Sequence, residues 1–224
     1  MSLVYRLACA LLLGHIATTG CSWFEVDEDD PIDAAPAGES GRIDVPALAA
    51  GDEFGTAVAA APDFLAVGAP GDDRQGSAAG AVHFFVPTAE GWGEAGVLTA
   101  ADPRSGDRFG AALALTGDLL AVGAPGRDQG GSAAGSVYLY RRDGSAWQPV
   151  AALFAPDGAA GSRFGTSVAF VDPGRLAIGA SGHDGNAVSA GAAYLFAAEA
   201  DEWVPVLQPM AIGRRRGPQR PGLR

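Results

Sequence analysis

The sequence predicts an all-β protein built from three copies of one four-stranded unit. The first observation is a set of recurring landmarks. Asp-Glu-Phe-Gly at 52–55 returns as Asp-Arg-Phe-Gly at 107–110 and Ser-Arg-Phe-Gly at 162–165. Ala-Val-Gly-Ala-Pro at 66–70 returns at 121–125, and as Ala-Ile-Gly-Ala-Ser at 177–181. Gly-Ala-Val-His-Phe-Phe at 80–85 matches Gly-Ser-Val-Tyr-Leu-Tyr at 135–140 and Gly-Ala-Ala-Tyr-Leu-Phe at 191–196, and Trp92, Trp147 and Trp203 close the units. Self-similarity at a fixed period is the mark of a repeat architecture. The second observation is composition: 33 glycines and 15 prolines in 224 residues suit short strands and tight turns better than long helices. The third is the shape of the apolar runs, which are as short as strands.

Each unit reads as four strands. In the first copy they span 54–60, 64–69, 81–86 and 92–99. Pro62-Asp63 and Thr116-Gly117-Asp118 supply the turn between the first two strands. The second strand, Phe64-Leu65-Ala66-Val67, is apolar on both faces, as in strands covered on both sides. Gly68 and Gly123 suit a close backbone approach there. Pro70 and Pro125 lack an N–H and end the ladder. The third strand alternates, with Val137 and Leu139 on one side and Tyr138 and Tyr140 on the other. Four-stranded units of this length, arranged radially, describe a β-propeller.

The Phe-Gly and Gly-Ala-Pro pairs resemble the FG-GAP repeat of the integrin α-chain propeller and of many bacterial secreted proteins. The resemblance covers about 45–208 and rests on Phe54, Gly55, Gly68, Ala69 and Pro70, on Phe109, Gly110, Gly123, Ala124 and Pro125, and on Phe164, Gly165, Gly179 and Ala180. It implies a partial β-propeller of three four-stranded blades, at about 51–100, 106–155 and 161–208 within 42–208. Many repeats of that family carry an Asp-x-Asp-x-Asp-Gly calcium loop before the Gly-Ala-Pro strand. Here the corresponding stretches offer Asp63, Asp118 and Asp172, one carboxylate each. Calcium needs six or more oxygens, so no calcium is expected at that place and no cofactor is assigned. A second place where carboxylates recur is the loop after Gly-Ala-Pro, where Asp73, Asp128 and Asp184 hold equivalent positions; they read as turn formers, with calcium the alternative.

Propellers have ~4–8 blades, whereas three repeats are present here. Residues 42–49 resemble the strand 150–154 that precedes a Phe-Gly, and read as the outer strand of a further blade. Three blades leave two open faces, each expected to be apolar and able to associate with another copy or partner. The alternative expectation is a truncated gene product.

Outside the repeats, residues 1–21 have the layout of a secretory signal. Leu7–Ile16 is apolar but shorter than the ~20 residues that span a bilayer. Small residues precede Cys21, which resembles the lipidated cysteine of a bacterial lipoprotein; ordinary cleavage nearby is the other reading. Residues 22–41 carry Glu25, Asp27, Glu28, Asp29, Asp30 and Asp33 and read as an acidic tether. All 15 cationic residues are arginine, and five of them lie within 209–224, a basic tail expected to be disordered. The net charge of −11 argues against a nucleic-acid groove, which neutralises phosphates.

The repeat also tests for catalysis, because a functional residue should break the pattern. His83 aligns with Tyr138 and Tyr194, a packing position. His183 aligns with Asp72 and Arg127, a freely varying loop position. No lysine is present, and Cys21 is the only cysteine after Cys9 leaves with the signal, so amine and thiol nucleophiles are scarce. The expectation is a non-enzymatic module of the cell envelope, exported and tethered to the membrane by lipid alone, or secreted. It would display loops to a protein or glycan. The alternative is a propeller fragment of a larger surface enzyme.

Overall fold

The computed structural model describes residues 42–43, 45–89, 91–185, 187–200 and 202–206. Cys21, the tether and the basic tail lie outside the described residues. Among the described residues, twelve strands form three four-stranded antiparallel sheets in simple sequence order. The first blade is β1 (Ala57–Ala61), β2 (Phe64–Ala69), β3 (Ala81–Thr88) and β4 (Gly91–Leu98). The second is β5 (Ala112–Thr116), β6 (Leu119–Ala124), β7 (Ser136–Asp143) and β8 (Ala146–Leu153). The third is β9 (Phe164–Asp172), β10 (Arg175–Ala180), β11 (Ala192–Glu199) and β12 (Glu202–Pro205).

The predicted strands are present, with one shift. β1 starts at Ala57 rather than Phe54, whereas β9 of the third blade starts at the equivalent Phe164, although Glu53 and Gly55 share their positive φ (55° and 92°) with Arg163 and Gly165 (55° and 88°). The described residues of 42–49 are irregular, with a turn at Pro46-Ala47, and do not form the expected outer strand. No preceding sheet exists among the described residues for them to pair with. They are nonetheless placed as the alignment implies: Ile43, Val45 and Leu48 pack on Phe54, Leu65, Val67 and Phe85 of the first blade. Ile43 and Val45 thereby stand where Leu98 and Ala100 meet the second blade, and where Leu153 and Ala155 meet the third.

The core lies between blades. Phe64, Ala66, Val82 and Phe84 of the first meet Phe109, Leu120, Val122, Tyr138 and Tyr140 of the second. Ala121, Val137, Leu139 and Leu153 of the second meet Phe164, Leu176, Ile178 and Phe196 of the third. β6 therefore sends alternate residues to opposite neighbours, which is why its sequence is apolar throughout. Each central strand must be narrow for the sheets to approach. A Cβ on Gly68 would strike the Gly110 carbonyl, and one on Gly123 the Gly165 carbonyl.

Trp147 reaches past its own blade, whereas Trp203 meets Phe170 of its own blade edge-on at 6.3 Å. Trp147 stacks on Phe84 of the preceding blade, with ring centroids 5.1 Å apart and planes 17° from parallel. It also meets Phe64 edge-on at 5.6 Å.

Candidate functional site

The Phe-Gly and Gly-Ala-Pro residues are joints between blades. Phe109 and Phe164 are fully buried. The Phe109 amide donates to the Ala79 carbonyl (3.0 Å), and the Phe164 amide to the Ala134 carbonyl (2.9 Å). The Gly110 amide donates to Gly123 O (3.1 Å), as the Gly55 amide does to Gly68 O (3.0 Å). The loop after Gly-Ala-Pro is sewn to the next repeat. The Gly106 amide donates to Ser77 O and the Gly161 amide to Ser132 O, both at 2.8 Å. Arg108 and Arg163 amides follow at 3.0 Å onto Ala78 O and Ala133 O. One rim thus carries three equivalent loops, at 71–80, 126–135 and 182–191, on a continuous hydrogen-bonded belt.

Asp73, Asp128 and Asp184 sit in those loops and act on their own backbone. Each accepts from the amide five residues on: Ala78 (2.7 Å), Ala133 (2.7 Å) and Ser189 (2.6 Å). Those three acceptor-bound residues all have positive φ, at 48°, 50° and 51°. The carboxylate holds a tight turn that the backbone disfavours for residues with a Cβ. The structure does not bring the three aspartates together. Among the described residues no group of three or more His, Cys, Asp or Glu is placed to hold a metal ion.

Beneath each loop lies a polar node that the sequence did not single out. It is built from four aligned positions: 72, 127 and 183; 83, 138 and 194; 52, 107 and 162; and 47, 102 and 157. In the second blade Arg127, 3% exposed, donates from Nη1 to Asp107 Oδ2 (2.8 Å) and to the Asp102 carbonyl (2.7 Å). Its Nη2 pairs with Asp102. Burial works against this guanidinium's charge, but the Asp107 hydrogen bond and the neighbouring acids prevail and raise its pKa. Burial, the largest effect, also raises the pKa of Tyr138 beside it.

In the first blade the node changes sign. Asp72, 3% exposed, takes the Arg127 position and is held by Arg74 Nε at 2.9 Å. His83, fully buried, lies with Nδ1 2.7 Å from Glu94 Oε1 and Nε2 3.7 Å from Asp72 Oδ2. Ala47 stands where Asp102 stands, and a cleft of about 350 Å³ opens there, lined by Ala47, Ala49, Asp52, Asp72, Asp73 and Arg74. The sequence signal for the node was the charge reversal at 72 and 127, a position that reads as a freely varying loop position in the sequence and is buried in the structure.

The third node assembles a serine, a histidine and an aspartate. Ser162 Oγ is 3.4 Å from His183 Nδ1, and His183 Nε2 is 3.5 Å from Asp157 Oδ2. These residue types also make up hydrolytic triads. Here Ser162 is 1% exposed, and its Oγ accepts the Ala159 amide at 3.1 Å. Asp52 and Asp107 do the same at their positions, accepting the Ala49 (2.7 Å) and Arg104 (2.9 Å) amides. Asp157 is also bound by Tyr194 Oη at 2.6 Å. Burial first, and then Asp157, raise the Tyr194 pKa. The arrangement is a turn cap whose buried hydroxyl lies beside a hydrogen-bonded imidazole.

Three sheets, each joined to the next through inter-sheet cores and a shared rim, define a propeller-type repeat protein. The FG-GAP repeat family model matches residues 47–85, 92–140 and 147–196, more than half of the chain. The chain belongs to the FG-GAP repeat family. The second match runs from the outer strand of one blade to the third strand of the next, so the family unit straddles a blade junction. A search of curated proteins returned no match. Repeats of this family are found in surface and recognition modules.

Proposed function

We propose that this protein is a non-enzymatic recognition module of the cell envelope, exported, anchored through Cys21 and binding a protein or glycan with its rim loops. The observation that supports this reading is the contrast between scaffold and loop content. The belt of backbone hydrogen bonds repeats from blade to blade, while the exposed residues of the loops it carries differ: Arg74 and Gln75 in the first, Gln129 and Gly130 in the second, Gly185 and Val188 in the third. A rigid frame with varying loop residues is how binding surfaces are commonly built. The acidic charge of the chain favours a partner that is not a nucleic acid.

The test has two arms. Palmitate labelling of the expressing bacterium, with Cys21→Ala as control, reads the anchor; incorporation lost in the variant is expected, and none in the wild type refutes it. Binding to arrayed extracellular proteins and glycans reads recognition. Replacing Arg74, Gln75 and Gln129 by serine should abolish it, while Glu199→Ser at the opposite end of a sheet should not. Equal loss in both variants, or no binding above background, refutes the rim reading.

A further inference from the structure

The blade junction occurs twice among the described residues, and the first blade carries part of a third one. The second and third blades face their predecessors with the same aligned positions. These include Leu113, Leu115 and Trp147 in one, and Val168, Phe170 and Trp203 in the other. The first blade repeats the pattern with Val58, Ala60 and Trp92. Ile43, Val45 and Leu48 cover only part of that face, over Phe54, Leu65, Val67 and Phe85. The rest is open at both edges of the sheet: Val58 on β1 is 57% exposed and Trp92 on β4 45%. Trp147, at the position equivalent to Trp92, is packed against Phe64 and Phe84.

The other half of a junction lies at the far end. Strand alternation places Ala177, Ala193 and Leu195 on the side of the third blade away from the second. They align with Ala121, Val137 and Leu139, which in the second blade form the side turned to the third. Arg175 takes the Phe64 position and is 53% exposed. A guanidinium is at home on such an aromatic face: Arg142 lies over the Phe64 ring at 4.4 Å.

We propose that two copies of this chain associate head to tail, the free face of one third blade seating on Val58 and Trp92 of the other copy's first blade. Trp92 then rests on Leu195 with Arg175 over its ring. The contact is heterologous; formed with the same geometry as the two internal junctions, two of them join a pair into a ring of six blades. Six blades fall inside the ~4–8 range of closed propellers.

Sedimentation of the full chain over a concentration series tests this. The wild type should form a dimer. Trp92→Glu should weaken association ~30-fold or more, the loss typical of a buried aromatic anchor. Leu195→Glu should do the same from the other face, and Val58→Arg repeats the first test at a site too exposed to govern folding. An equimolar mixture of Trp92→Glu and Leu195→Glu should associate more tightly than either variant alone and less tightly than the wild type, because the mixed pair holds one intact contact where the wild-type ring has two. A monomeric wild type, variants that associate as the wild type does, or a mixture that associates no more tightly than either variant alone would overturn the proposal.

Discussion

Arg127→Met leaves a buried carboxylate without its cation. The side chain of Asp107 is 3% exposed and retains only the Arg104 amide at 2.9 Å once the guanidinium is gone. The other lost partner, Asp102, is 60% exposed, and an ion pair with so wet a group contributes at most about 1 kcal/mol. The Asp107 side dominates: breaking a buried pair by removing one partner costs about 3–5 kcal/mol. That is a large part of the ~5–15 kcal/mol that holds a domain folded. At ~2–4 °C per kcal/mol for a chain of this size, melting should fall by roughly 6–20 °C. The assay is chemical denaturation followed by tryptophan fluorescence. The reasoning also predicts a rescue. Ser162 takes the Asp107 position in the third blade and caps the same turn without a charge. Arg127→Met combined with Asp107→Ser should therefore recover most of the loss, since removing both members of a buried pair is often neutral. A loss under about 1 kcal/mol in the single variant, or a double variant less stable than the single, would refute the account.

Two other outcomes follow from the same geometry. Phe109→Ala should cost ~3–5 kcal/mol, because Phe109 is fully buried between blades, whereas half-buried Phe54 should cost clearly less; denaturant midpoints compare them, and equal losses refute the junction reading. Burial raises the pKa values of Tyr138, Tyr140 and Tyr194, so the folded state holds these phenolic protons more tightly than the unfolded chain does. Stability is then intact below the unfolded value of about 10 and declines as pH rises above it. Ultraviolet titration should show these tyrosines ionising later in the native protein than in denaturant, and coincident titrations would count against it.

Much of the architecture is legible because it is written three times. The Phe-Gly and Gly-Ala-Pro landmarks carry local instructions, a turn and a narrow strand, which act over a few residues and need no knowledge of the rest. β6 announces its burial on both faces through Leu119-Leu120-Ala121-Val122. The nodes are not legible in this way. Arg127 meets Asp102 and Asp107 across 25 and 20 residues, and no period in the sequence links a charge in a loop to acids before the preceding Phe-Gly. The role of the loop aspartates lay between the two. Their recurrence is visible, but whether a carboxylate turns outward to an ion or inward to an amide depends on the positive-φ turn at Ala78, Ala133 and Ser189.

The sequence alone determined the all-β class, the three repeats and the order of strands within each, since these follow from turn chemistry and side-chain alternation over short spans. The tertiary structure decided what the repeats do to one another. Packing turned Trp147 from an outer-strand residue into a clasp on the preceding blade. It made Ile43, Val45 and Leu48 a cover for the first blade rather than a strand, because a strand needs a neighbour with which to share its hydrogen bonds. It also divided the apolar surface into two filled junctions and one half-filled, leaving Trp92 exposed where its counterpart is packed. That difference depends on which sheet stands beside which, and such contacts span a whole repeat of the chain.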